Sequence, residues 1–261
     1  MEKLARFGYV AKGVVYALIG VLAVLAAFNA GGGQTTSTSG VLHTIASKPF
    51  GTVLLLIIGI GLIGYVVWRL IQAINDPEHK GDDAKGIARR LGYAISGLAY
   101  VGVAVNAILL ALGSGGGSSG GNSQQDWTAK VLQQPFGQWL VGIGGALVIG
   151  IGIYRLYEAY KIKFRKQLKI SEMDNNKQDW LVNISRFGVA ARGVIFIILG
   201  FFFIQAAKQS DASEVKGLDG VLQTIAQQPF GKILLCIVAL GLVAYGVYLF
   251  VQAKYRRINI N

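Results

Sequence analysis

The sequence predicts an all-α integral membrane protein: six spanning helices, formed as three tandem parallel two-helix repeats with pseudo-threefold symmetry. Three observations point to this class. Hydrophobic residues fill 53% of 261 positions and charged residues only 15%, whereas soluble domains carry about a quarter charged. Uncharged stretches at 50–68, 136–154 and 233–253 have the roughly 17 to 25 residues a spanning helix needs, without the alternation of a barrel strand. The same words also open successive segments. Arg6-Phe7-Gly8, Arg90-Leu91-Gly92 and Arg186-Phe187-Gly188 begin the odd ones, and Pro49-Phe50-Gly51, Pro135-Phe136-Gly137 and Pro229-Phe230-Gly231 begin the even ones. A two-segment unit thus occurs three times.

The first helix is expected near 5–28. Its uncharged part, Gly13–Phe28, is short, so the span must borrow the turn that holds Lys12. A cleaved leader is the rival reading, but this segment matches the third and fifth position by position, which favours a retained helix. The next five are expected near 50–74, 89–112, 136–160, 187–207 and 230–254, the fifth borrowing the turn of Arg192. Repeat one then covers 1–76, repeat two 84–162 and repeat three 180–257, with a basic and acidic linker at 163–179.

Aligned on their arginines, the odd helices read Arg6-x6-Gly13-x6-Gly20, Arg90-x6-Gly97-x6-Ala104 and Arg186-x6-Gly193-x6-Gly200. Seven residues is close to two helical turns, so these small residues form a smooth stripe on which another helix can close. Counted from the prolines, the even helices repeat small residues at Gly59, Gly145 and Ala239 and again at Gly64, Gly150 and Ala244. Aromatics follow at Trp68, Tyr154 and Tyr248, then Arg69 and Arg155 in two copies and Leu249 in the third. Before each proline an amphipathic stretch (40–45, 127–132, 220–225) predicts a short outer helix. Pro49, Pro135 and Pro229 are expected in the first turn of the helix that follows, where a missing amide proton costs nothing.

Charge sets the orientation. Twenty of the 25 Lys and Arg fall on one face of this layout, leaving Lys48, Lys130, Lys208, Lys216 and Lys232 on the other. By the positive-inside rule both termini are expected in the cytoplasm. The net charge of +12 then serves topology, and nucleic acid is not an expected partner. The run Lys161, Lys163, Arg165, Lys166, Lys169 reads as a solvated, topology-enforcing extension or as a grip on anionic headgroups. Glu172 and Asp174 just beyond it favour the former.

The Arg-Phe-Gly openings, the leucine-led approaches to Pro-Phe-Gly (Leu42 to Gly51, Leu132 to Gly137, Leu222 to Gly231), and endings such as Gly241-Leu242-Val243-Ala244-Tyr245-Gly246 resemble the bacterial domain-of-unknown-function family numbered 1206 across essentially the whole chain. The resemblance implies three copies of a two-helix membrane unit and implies no activity. Copy two departs most, with Leu91 for Phe, Ser96 where the others carry Lys12 and Arg192, and Ile151 for tyrosine.

Ionisable groups inside spans are functional suspects. Lys12 and Arg192 have two readings: they snorkel to headgroups, or they gather with Ser96 around the pseudo-axis to attract an anion or pair with Glu158. Arg69 and Arg155 join them as headgroup or functional candidates. Asn106 and Gln205 read as interhelical hydrogen-bonding groups, with a permeation role as the alternative. Arg6, Gly13, Arg90, Gly97, Arg186 and Gly193 read as structural repeat positions. His43 and His79 stand apart without ligand spacing, so no metal is expected. The single cysteine, Cys236, excludes an intramolecular disulfide framework. The glycine runs at 31–33 and 115–121 lack a following Gly-Lys-Ser/Thr and read as linkers. No His-Glu-x-x-His metalloprotease motif occurs, and no cofactor is implied.

The reading is a non-enzymatic structural or accessory subunit of a bacterial-type plasma membrane or an internal membrane derived from it. Its expected partners are lipids and a larger membrane-protein complex. The alternative is a small-solute or anion channel or transporter along the pseudo-axis. An enzyme built from His43, Asp126 and Asp219 ranks third.

Overall fold

The computed structural model describes residues 2–29, 33–77, 81–114, 123–163 and 175–256. The chain runs α1 (Glu2–Ala27), α2 (Thr38–Ala46), α3 (Gly51–Ile74), α4 (Ala84–Ala111), α5 (Ser123–Leu132), α6 (Gly137–Tyr160), α7 (Asn175–Gln209), α8 (Leu218–Ala226) and α9 (Gly231–Tyr255). Six of these, α1, α3, α4, α6, α7 and α9, are long and apolar enough to cross a membrane. The chain is a multi-pass membrane-helical protein.

The expected short helices precede α3, α6 and α9. In α2, Ser37 caps the first turn by accepting from the Gly40 amide at 3.2 Å. Val41, Leu42 and Ile45, and their counterparts Val221, Leu222 and Ile225 in α8, turn inward on one face and are buried. The same face of α5 is looser, with Trp127 69% exposed.

Two expectations are corrected. Helix α7 begins at Asn175 rather than near 187: Val182 and Ser185, ahead of the expected start, are buried, and the first turn of the helix occupies the end of the expected linker. Residues 164–174, including Arg165, Lys166, Lys169, Glu172 and Asp174, lie outside the described residues, as do His79, 30–32 and 115–122. The prolines are not in the first helical turn. Each sits two residues before it, and the glycine amide closes a turn onto the residue before proline: Gly51 to Lys48 at 2.9 Å, Gly137 to Gln134 at 2.9 Å and Gly231 to Gln228 at 2.7 Å. Proline's fixed φ suits the second place of such a turn, and the third place requires positive φ. Phe50, Phe136 and Phe230 supply it, at φ of 62°, 65° and 61°. Helical geometry cannot begin until the chain has reversed through this left-handed residue. A Cβ on Gly51 would run into the Ile45 carbonyl, which explains the glycine that follows.

Helices pack mainly between repeats. Helix α3 lies along α4, α6 along α7, and α9 returns to α1, so each repeat meets the next through an equivalent interface. Glycines make these interfaces tight. A Cβ on Gly200 would come 2.6 Å from the Gly145 carbonyl, on Gly193 2.9 Å from the Gly152 carbonyl, on Gly246 2.9 Å from the Gly13 carbonyl and on Gly97 3.2 Å from the Arg69 side chain. Backbones at such distances gain the dispersion that drives association in lipid. Within repeats, α1 packs on α3 and α7 on α9, but α4 and α6 form no comparable interface. The ring is open in repeat two.

Candidate functional site

The three copies explain the opening. In repeat one, the Cβ that Gly61 lacks would lie 2.6 Å from the Cβ of Ala11; in repeat three Gly241 abuts Ala191 in the same way. The equivalent pair in repeat two is Ile95 and Leu147, which are 59% and 64% exposed. Two large side chains stand where the other hairpins have a small one against none. Gly8 and Gly188 press against Tyr65 and Tyr245, whereas Gly92 meets nothing within 4 Å. Gly64 meets Leu4, while its counterpart Gly150 also meets nothing. A seam therefore runs between α4 and α6.

Behind it a buried cation–tyrosine cluster holds α4 to repeat one. Lys12 is 2% exposed, so it does not snorkel. Its Nζ donates to the Tyr65 hydroxyl at 2.8 Å and lies 4.1 Å from the ring centroids of both Tyr65 and Tyr100. Arg69 Nε donates to the same hydroxyl at 2.8 Å, and Ser96 Oγ stands 3.1 Å from it. The Tyr100 hydroxyl donates to that of Tyr16 at 3.0 Å. One phenol oxygen thus joins α1, α3 and α4. Desolvated cation–ring contacts contribute about 2 kcal/mol each, which offsets part of the cost of holding an ammonium in lipid.

Arg192 occupies the other side. Its guanidinium lies among the rings of Tyr16, Phe196 and Tyr245 at 4.8, 5.0 and 4.5 Å, and its buried Nη1 has no hydrogen-bond partner. Neither Lys12 nor Arg192 pairs with Glu158. That carboxylate instead accepts from Arg155 Nη1 at 2.6 Å and is almost wholly buried. The equivalent residue in repeat one is Gln72, whose carbonyl oxygen accepts from Arg69 Nη1 at 3.0 Å. The same arginine-to-acceptor clip thus appears neutral in one copy and charged in the next.

The remaining positions are structural in geometry. Asn106 is buried, with its Nδ2 unpartnered, so the expected interhelical hydrogen bond from that atom is not made. Gln205, near the end of α7, donates to Glu214 Oε2 at 2.6 Å, just beyond that helix. His43 lies in α2, and no metal-holding group of side chains occurs among the described residues. Arg6 and Arg90 reach the last carbonyls of neighbouring helices: Ala253 and Lys254 of α9 for Arg6, Ala73 and Ile74 of α3 for Arg90. These are helix C-terminal clamps. Sequence reading missed Tyr65 as the hub, although the contrast of Tyr65 and Tyr245 with Ile151 was visible.

Comparison with known proteins adds lineage. The family described as "Domain of Unknown Function (DUF1206)" matches at residues 7–76, 91–161 and 187–256. The "Uncharacterized protein YxxB" of Bacillus subtilis (strain 168) is 41% identical over 259 residues, covering 99% of this chain and 92% of that protein. No solved structure matches.

Proposed function

The chain belongs to the DUF1206 family, and from that premise we propose that it is a non-enzymatic accessory membrane protein that receives a transmembrane helix of another subunit at the seam between α4 and α6. The observation that carries this reading is the pair of empty glycines. Glycine weakens a helix by about 1 kcal/mol relative to alanine; in α1, α3, α7 and α9 the spanning glycines accompany a close helix contact, whereas in α4 and α6 Gly92, Gly102, Gly144 and Gly150 meet nothing. Gly92 and Gly150 have no neighbour within 4 Å on the chain's own side. A second helix laid across them would gain the close approach that the other two hairpins make internally.

A conduit receives less support. The cation cluster is polar, but the buried spanning side chains toward the short-helix end include Ile19, Ala23, Leu55, Ile58 and Phe202, which offer an ion no replacement for water.

Gly92→Leu and Gly150→Leu test the proposal, because both side chains would enter open space and leave the fold intact. Expected is a heterologous complex, seen by native mass in mild detergent, that disassembles in either variant while thermal unfolding of the chain itself is unchanged. A wild-type chain that travels alone, or a complex indifferent to both substitutions, would overturn it.

A further inference from the structure

The three repeat arginines form an internal comparison. Arg6 takes the Glu2 carboxylate at 2.7 Å as well as the end of α9, and Arg90 takes the Asp82 carboxylate at 2.7 Å as well as the end of α3. Each guanidinium is pinned between an acid and the negative end of a neighbouring helix. Arg186 has neither partner. Where Glu2 stands four residues before Arg6, Val182 stands before Arg186, and the exposed Arg186 guanidinium makes no hydrogen bond or ion pair with a described residue.

It lines instead a groove of about 360 Å³ between α6 and α7. Asn183, Tyr160 and Arg186 lie toward the end of the bundle that holds both chain ends; Leu156, Phe187 and Ala190 continue the groove toward the membrane interior. Lys161 and Lys163 follow directly, with their ammonium groups 5.4 Å from the Tyr160 ring and 4.2 Å from the Tyr157 ring. Neither lysine lines the groove, which is cationic at its mouth through Arg186, polar there through Asn183 and Tyr160, and apolar along its length.

We propose that this groove binds an anionic phospholipid, the phosphate replacing on Arg186 the carboxylate that Glu2 and Asp82 give its counterparts, and one acyl chain lying along Leu156, Phe187 and Ala190. Guanidinium groups bind phosphate oxygens in fork geometry. A free phosphate would leave the apolar walls uncovered, and a zwitterionic lipid would bring its own cation to Arg186. This site is separate from the α4–α6 seam and does not rest on the docking reading.

The test uses the full chain, delipidated in detergent and mixed with equal amounts of phosphatidylglycerol and phosphatidylcholine, with retained lipid counted by native mass spectrometry. Wild type is expected to retain one phosphatidylglycerol in preference. Arg186→Gln should lower that retention about fivefold, the effect of one cation near an anionic surface. Arg186→Lys should recover part of it, and Ala190→Leu, which fills the groove, should reduce retention of either lipid. Because Arg186 is exposed and unpaired, its variants should unfold at the wild-type temperature. Equal retention of both lipids, indifference to Arg186→Gln, equal protection by inorganic phosphate alone, or a dimer that covers the groove would each overturn the assignment.

Discussion

At the scale of single residues, the Tyr65 hydroxyl does what no carboxylate does here. It accepts from Lys12 and Arg69 and meets Ser96, so two cations and a third helix depend on one oxygen. Hydrogen bonds to charged groups contribute about 1.5–3 kcal/mol each. Tyr65→Phe should therefore lower the thermal unfolding temperature markedly in detergent. Tyr245→Phe should change it little, because the Tyr245 hydroxyl makes no hydrogen bond with a described residue and its ring contacts survive. Equal effects would remove Tyr65 from its central role. Sequence alone marked Lys12, Ser96 and Arg192, since charge or polarity inside an apolar run stands out. It could not mark Tyr65, because a tyrosine in a spanning helix reads as packing until its hydroxyl has a known neighbour.

At the scale of elements, one small pair decides whether a hairpin closes. Ala11 with Gly61 and Ala191 with Gly241 bring their helices together, whereas Ile95 and Leu147 hold α4 and α6 apart. The Cβ positions at 11 and 61 are 2.6 Å apart and those at 191 and 241 are closer still. With Cys236 replaced by alanine, a cysteine pair at either place should therefore oxidise once the helices part by the small distance that brings the Cβ atoms to a disulfide's separation of about 3.5–4.5 Å. Cysteines at 95 and 147 should remain reduced under the same conditions. Efficient bridging there would mean that repeat two closes like the others. The helices, their order and the small-residue stripe were legible because each has a period or a repeat. The open hairpin was not. Isoleucine and leucine satisfy hydropathy as well as glycine and alanine do, and only volume at a helix contact distinguishes them. The proline turns were misread for a related reason: their geometry depends on a left-handed phenylalanine that no propensity favours.

At the scale of the whole molecule, Arg6 of α1 bonds to the last carbonyls of α9, which brings both ends of the described chain to one end of the bundle. From the lysine and arginine bias we propose that this end faces the cytoplasm. Tags fused at either terminus should therefore be protected in intact cells and exposed together when the membrane is opened. Detection of one tag from outside would reject the assignment. The return of α9 to α1 carries a further consequence. The α9–α1 contact, which no peptide segment bridges, is built like the α3–α4 and α6–α7 contacts, which segments do bridge. The first and last helices are therefore held together by packing alone, at an interface as extensive as those whose helices a connecting segment also joins.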